Sequence, residues 1–301
     1  MSTTRVTRAT TPFEGQKPGT SGLRKPTSVA SQANYIENFV QATFNALNGE
    51  HVGQTLVASG DGRYLNKDAM KKIIQMSEAN GVSKLLVAVD YLASTPAVSF
   101  VIRERKAAGG FILTASHNPG GLKGDFGIKY NTSNGGPAPD NVTNAIYQQT
   151  LAISSYEINE TEVNIDVSQP GVHTYGALQI EVISFTTEYA RMCRDIFDFP
   201  LLKTFIARSD FTLLFDGLHG VGGPFARAIL VDELKAPESC LQNAVPLEDF
   251  GGGHPDPNLT YASQLVDAMG MYVCMYTCII ITFAITLDTA PSNLPDNPNI
   301  T

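Results

Sequence analysis

Thr114-Ala115-Ser116-His117-Asn118-Pro119-Gly120-Gly121 follows directly on Gly109-Gly110-Phe111-Ile112-Leu113. A short apolar run bounded by glycines, giving way abruptly to small and polar residues, reads as a buried strand ending in a loop. Ser116 is thereby placed at a strand end. A serine hydroxyl is a weak nucleophile and joins in group transfer only beside a base, a cation or a phosphate already in place. His117 and Lys129 are the nearby candidates. Gly120, Gly121 and Gly124 let the backbone come close to a phosphate, with amide hydrogens as donors. The same residues also make an ordinary Ser-Asn-Pro-Gly turn, so the octapeptide alone leaves a phosphoryl-carrying loop and a plain turn both open.

Strands and helices alternate on either side of this loop. Residues 35–47 carry Ile36, Phe39, Val40 and Leu47 at helical spacing and stop at Asn48-Gly49. Residues 55–58 read as a strand, 67–80 as a helix with Met70, Ile73 and Ile74 ended by Gly81, and 85–89 as the next strand. Thr95 caps and Pro96 opens a helix that runs towards Gly109. This alternation predicts an α/β protein with mainly parallel mixed sheets covered by helices. Residues 152–186 read as a variable connection with some extended structure, and the first domain is bounded near Ser184. A second unit is predicted from a helix around 187–197, a strand at 213–216, a glycine-rich turn through Gly223 and a helix from about Pro224.

The chain of 301 residues allows two domains with substantial cores. Its formal net charge of -8, from 21 basic and 29 acidic residues, argues against general nucleic-acid binding. Residues 1–16 are Thr-rich, with Arg5 and Arg8, and read as a flexible N-terminus; they lack the apolar core of a secretory signal, so a cytoplasmic location is expected. Cys193, Cys240, Cys274 and Cys278 have no spacing that suggests a disulfide framework. No histidine lies near Cys274 and Cys278, which argues against a metal site there.

Several further segments accompany the serine loop in order. They are Gly19-Thr20-Ser21-Gly22-Leu23-Arg24-Lys25, Thr95-Pro96-Ala97-Val98, Gly124-Asp125-Phe126-Gly127-Ile128-Lys129-Tyr130 and Asn134-Gly135-Gly136-Pro137-Ala138-Pro139. Asp216-Gly217-Leu218-His219-Gly220 follows, then Pro246-Leu247-Glu248-Asp249-Phe250, then His254-Pro255-Asp256-Pro257-Asn258-Leu259-Thr260-Tyr261-Ala262. With these motifs the chain closely resembles the eukaryotic phosphoglucomutase branch of the α-D-phosphohexomutase family over roughly residues 12 to 267.

The resemblance implies an architecture of four α/β domains around a cleft. Residues 17–184 would be the first domain, with the phosphoserine loop, and 185–267 an incomplete second. It implies phosphorylated Ser116 as the catalytic group that interconverts glucose 1-phosphate and glucose 6-phosphate through glucose 1,6-bisphosphate. Arg24 matches an arginine that contacts the phosphate region. Thr20 and Asn118 organise or contact this region, and His117 and Lys129 assist with protons or charge, a loop-fixing hydrogen bond being the competing role for His117. Mg²⁺ is implied as the metal, held at Ser116 through its phosphate and at an Asp-Gly-Asp-Gly-Asp-Arg loop. That loop is not found in this sequence, and Gly60-Asp61-Gly62-Arg63 matches a different family segment. His219 and His254 read as turn residues, while His51 and His173 carry no signal.

Residues 268–287 carry no formal charge and could span a bilayer by length, but Thr277, Thr282 and Thr286 interrupt them and no Lys or Arg flanks them. They read as a non-homologous apolar segment that does not enter a membrane, followed over 288–301 by a Pro- and Asn-rich disordered tail. The expected partners are small sugar phosphates, and the expected state is a monomer. Little mutase activity is expected of the chain by itself. The competing readings are a non-catalytic scaffold that keeps the fold, and a phosphomannomutase.

Overall fold

A computed structural model describes residues 4–273. The tail over 288–301, and the apolar segment from residue 274 onward, lie outside the described residues. In chain order the first half comprises β1 (Arg5–Ala9), β2 (Leu23–Pro26), α1 (Thr27–Ala30), α2 (Tyr35–Ala46), β3 (Thr55–Gly60), α3 (Asn66–Ala79), β4 (Lys84–Leu92), α4 (Thr95–Glu104), β5 (Gly109–Leu113), β6 (Asp125–Thr132) and α5 (Asp140–Ala152). The second half adds β7 (Ser155–Asn159), β8 (Gly171–Tyr175), β9 (Leu178–Ile183), α6 (Phe185–Ile196), α7 (Phe199–Ile206), β10 (Phe215–Asp216), α8 (Gly222–Ala226), β11 (Leu241–Gln242) and α9 (Ser263–Val273).

Leu56, Val57 and Ala58 of β3, Leu85, Leu86 and Val87 of β4, and Phe111, Ile112 and Leu113 of β5 are all buried. Unbroken apolar runs of this kind belong to strands covered on both faces. These strands form the centre of a seven-stranded sheet of order β2-β6-β5-β3-β4-β9-β8. The centre is parallel, through β5-β3, β3-β4 and β4-β9. Both flanks are antiparallel, through β2-β6 and β6-β5 on one side and β9-β8 on the other. The sheet is thus mixed, because β6 returns across the octapeptide loop and β8 turns straight into β9. One apolar cluster joins the sheet to α2 and α3 through Phe39, Phe44, Met70 and Ile73. The other contains Val98, Val101 and Ile102 of α4 together with Phe185 and Phe225. The domain is a helix-sheet-helix sandwich.

Helix boundaries follow local chemistry. The helix over α2 is left through Asn48 and Gly49, both at positive φ (47° and 85°), the left-handed conformation that satisfies end carbonyls. Pro96 sits in the first turn of α4, where its missing N–H costs nothing.

Several expectations are refined. The N-terminus is not flexible throughout: Arg5–Ala9 pairs antiparallel with β7 from Arg5 opposite Asn159 to Ala9 opposite Ser155. Val6 packs against the core, and the Arg5 guanidinium reaches Glu78 with Nε 2.9 Å from Oε2, which tie this segment down. Residues 152–186 hold three strands, two of which widen the main sheet. Beyond residue 184, only Phe215 and Asp216 form the strand expected at 213–216, paired with Leu241 and Gln242. The helix expected from about Pro224 begins within α8 and continues as a wider π-helical stretch over Arg227–Glu233. Among the described residues no helix is long and apolar enough to cross a membrane.

Candidate active site

Parallel strands deliver their loops to one edge, and in open α/β sheets ligands gather at the carboxyl ends of the strands. Here β3 and β5 end in register, Gly60 opposite Leu113. Asp61 then donates its N–H to the Leu113 carbonyl at 2.9 Å, and Ala93, after β4, donates to the Gly60 carbonyl at 2.8 Å. Three loops therefore meet at one place: 61–65, 93–95 and 114–121.

Ser116 is half-buried and stands at φ 58°. Side chains rarely adopt this left-handed conformation, and such residues cluster where surrounding structure over-determines them. A hydrogen-bond relay does so here. The Ser116 N–H donates to Thr114 Oγ1 at 3.0 Å, and that hydroxyl donates to Asp61 Oδ2 at 2.8 Å. Asp61 pairs with Arg63, Nε to Oδ2 at 3.0 Å. Arg63, fully buried, donates from Nη2 to the Ser116 carbonyl at 3.0 Å and from Nη1 to the Asp125 carbonyl at 2.7 Å. The cation is thus satisfied by one carboxylate and by the carbonyls of the loop it holds, the arrangement a buried charge requires.

Ser116 Oγ lies 3.4 Å from His117 Nδ1. Both residues line a cavity of about 140 Å³, together with Asp61, Ser94, Asp216 and Phe250. The other residues singled out in the sequence are arranged around it differently. Asn118 donates from Nδ2 to Asp125 Oδ2 at 2.7 Å, bracing the loop from within. Arg24 lies on β2 opposite Gly127, and Gly127 is the residue where a Cβ would strike the Thr114 carbonyl at 2.0 Å. Arg24 is therefore one strand away from the serine loop. Lys129 is buried on β6 opposite Ile112, and with Thr20 it lines a separate cavity of about 10 Å³. The structure brings Ser116 and His117 together at the larger cavity, and Lys129 and Thr20 together at the smaller one.

The loop glycines have a use that differs from the one expected. A Cβ on Gly120 would stand 2.8 Å from the Phe250 ring, and one on Gly124 would stand 2.3 Å from the Pro119 and Gly120 carbonyls. Their missing side chains make room for protein, not only for a ligand. Asp61 and Arg63 were not singled out by sequence reasoning. The available signal was the Asp-Gly turn directly after the apolar run at 55–58, the same strand-then-turn pattern that marks Ser116.

Residues 15–157 match the family model described as phosphoglucomutase/phosphomannomutase, alpha/beta/alpha domain I. The cytoplasmic phosphoglucomutase of Bromus inermis is 56% identical over 273 residues, which cover 87% of this chain and 47% of that protein. The one from Solanum tuberosum is 53% identical over 283 residues, covering 90% of this chain and 48% of that protein. Among solved structures, the open form of the Paramecium exocytosis-sensitive phosphoprotein parafusin, a phosphoglucomutase, superposes with a TM-score of 0.85 at 43% identity, covering 89% of this chain and 50% of that one. The chain spans about half the length of the relatives it matches. Residues 15–157 are thus a domain I of the phosphoglucomutase/phosphomannomutase family, in a chain similar to cytoplasmic phosphoglucomutases over most of its length.

Proposed function

We propose that this chain carries the phosphoserine half of a phosphoglucomutase, with Ser116 as the residue that holds and transfers the phosphoryl group. The observation that carries this reading is the strained, braced Ser116, its Oγ 3.4 Å from His117 Nδ1 at the mouth of a cavity of about 140 Å³. A hydroxyl of glucose 1-phosphate or glucose 6-phosphate attacks the phosphorus, the bond from phosphorus to Ser116 Oγ breaks, and glucose 1,6-bisphosphate results. The proton released by the attacking hydroxyl is returned to Ser116 Oγ by way of His117, so none is gained or lost overall. The second transfer is the reverse of the first on the other phosphate. Phosphoryl transfer depends mainly on placing the reacting oxygens and balancing their charge, and a nucleophile held by three hydrogen-bonding partners, Thr114, Arg63 and His117, meets the first need. Arg24, on β2 opposite Gly127, adds positive charge near the serine loop, whereas Lys129 lines the separate cavity it shares with Thr20. Glucose is the sugar, and the cytoplasm the compartment, that the names of the relatives favour.

The residues around Ser116 do not fit the Mg²⁺ of the family. Asp61 is engaged by Arg63 and Thr114. Asp216 accepts from the Leu218 N–H, Gln242 and Asn243. Among the described residues no three His, Cys, Asp or Glu side chains are grouped to hold a metal ion.

The test is to incubate the purified chain with glucose 1,6-bisphosphate and map phosphate by mass spectrometry. One phosphate on Ser116, absent from the Ser116→Ala variant, is expected. An unmodified Ser116 under those conditions removes the reading.

A further inference from the structure

The segment that closes over the serine loop comes from the second unit. It is anchored at the turn after β10: the Leu247 N–H donates to the His219 carbonyl at 3.0 Å, and His219 Nδ1 lies 3.0 Å from the Val245 carbonyl. From there the Glu248 carbonyl accepts two hydrogen bonds at once, from the Gly121 N–H at 3.1 Å and from the Tyr64 N–H at 3.0 Å. One carbonyl thus joins the serine loop to the turn that carries Arg63. Phe250 follows, 4% exposed, with its ring centre 5.2 Å from the Arg63 guanidinium carbon. Its backbone has φ 55°, which a bulky aromatic residue adopts only when its surroundings hold it there.

We propose that Phe250 is a positioning residue for Ser116, a latch through which the second unit holds Arg63 against the serine loop. The ring excludes water from the guanidinium, and a hydrogen bond in such surroundings faces less competition and holds its geometry better than one in solvent. A cation over an aromatic face is attracted to it as well. Gly120 completes the fit, since any side chain there would meet the ring. Phe250 acts on Ser116 only through Arg63 and the Gly120-Gly121 turn. Its consequence for phosphoryl transfer rests on the reading of Ser116 given above, whereas the latch itself does not.

Two readouts separate those claims. The full chain and its Phe250→Ala, Phe250→Leu and Phe250→Tyr variants are compared by amide hydrogen exchange, and then by the rate at which Ser116 takes phosphate from glucose 1,6-bisphosphate. Loss of the ring in Phe250→Ala and Phe250→Leu is expected to speed exchange across 116–121 at least tenfold, with β3 and β4 unchanged, and to slow phosphate uptake at least tenfold. Phe250→Tyr, which keeps the ring, restores both. If Phe250→Ala does not fold, the Leu and Tyr pair decides by the same criteria. Exchange across 116–121 that stays unchanged in Phe250→Leu, or rises equally in β3 and β4, overturns the latch. Failure of the unaltered chain to take up phosphate overturns the Ser116 reading and leaves the exchange result to judge the latch.

Discussion

Arg63 Nη2 lies 3.0 Å from the backbone carbonyl oxygen of Ser116, 53 positions away in sequence. The Ser116 backbone is therefore held by a distant buried cation as well as by its near neighbour Thr114. Arg63→Met should leave Asp61 inside without its counter-charge, and breaking a buried pair in this way costs about 3 kcal/mol or more. Urea unfolding would read this as a lower midpoint with an unchanged slope. Arg63→Lys keeps the charge but cannot reach two carbonyls and a carboxylate from a planar fork, so a large part of the loss should remain.

Thr114 joins Asp61 to the Ser116 N–H through one hydroxyl. Thr114→Val keeps the shape and removes both bonds, which should cost about 1–2 kcal/mol. Phosphate uptake by Ser116 should fall about tenfold, since each 1.4 kcal/mol of lost positioning is a factor of ten in rate. Stability and uptake measured on the same preparation check the two together.

Ser116 itself bears backbone strain at φ 58°. Ser116→Gly and Ser116→Ala both remove the hydroxyl and should both abolish phosphate uptake. Only glycine accepts the left-handed conformation freely, so the Gly variant should be more stable than the Ala variant by about 1 kcal/mol. Equal midpoints in thermal unfolding would mean that the loop relaxes when the hydroxyl is lost.

The N-terminal strand gives a pH prediction. Burial pushes the Glu78 carboxyl up, but the hydrogen bonds it receives from Arg5, the Ala177 N–H and Asn159, with the Arg5 charge, outweigh this and hold it below its ordinary value of 4.5. A carboxyl depressed on folding contributes stability that is complete above its unfolded value and is lost as pH falls through its folded value. Attachment of β1 should therefore be constant above about pH 5 and weaken on acidification below 4.5. Glu78→Gln should remove that acid dependence and cost about 2 kcal/mol at neutral pH. Exchange protection of the β1 amides across a pH series measures both.

How far the sequence could be read follows from how local each feature is. The strand at 109–113, the turn after it and the helices flanked by glycine or proline are written in residues a few positions apart, so period and turn chemistry reveal them. Arg63 was marked only as part of a turn after the strand at 55–58; its role as a brace depends on β3 and β5 ending side by side. The mixed flanks of the sheet and the strand at Arg5–Ala9 depended likewise on partners far along the chain. Arg24, Lys129 and Thr20 were legible as conspicuous loop and strand residues, but not that Lys129 and Thr20 would line a cavity apart from Ser116.

By itself, the order of residues determined an α/β sandwich and a serine at the end of a buried strand, since short-range sterics and the alternation of apolar segments suffice for both. Only the folded chain decided what braces that serine: a buried arginine from one loop, its carboxylate partner, and an aromatic ring from far along the chain. Contacts of that kind are made by packing across long separations, where side chains compete for one dry space and no local pattern records the winner.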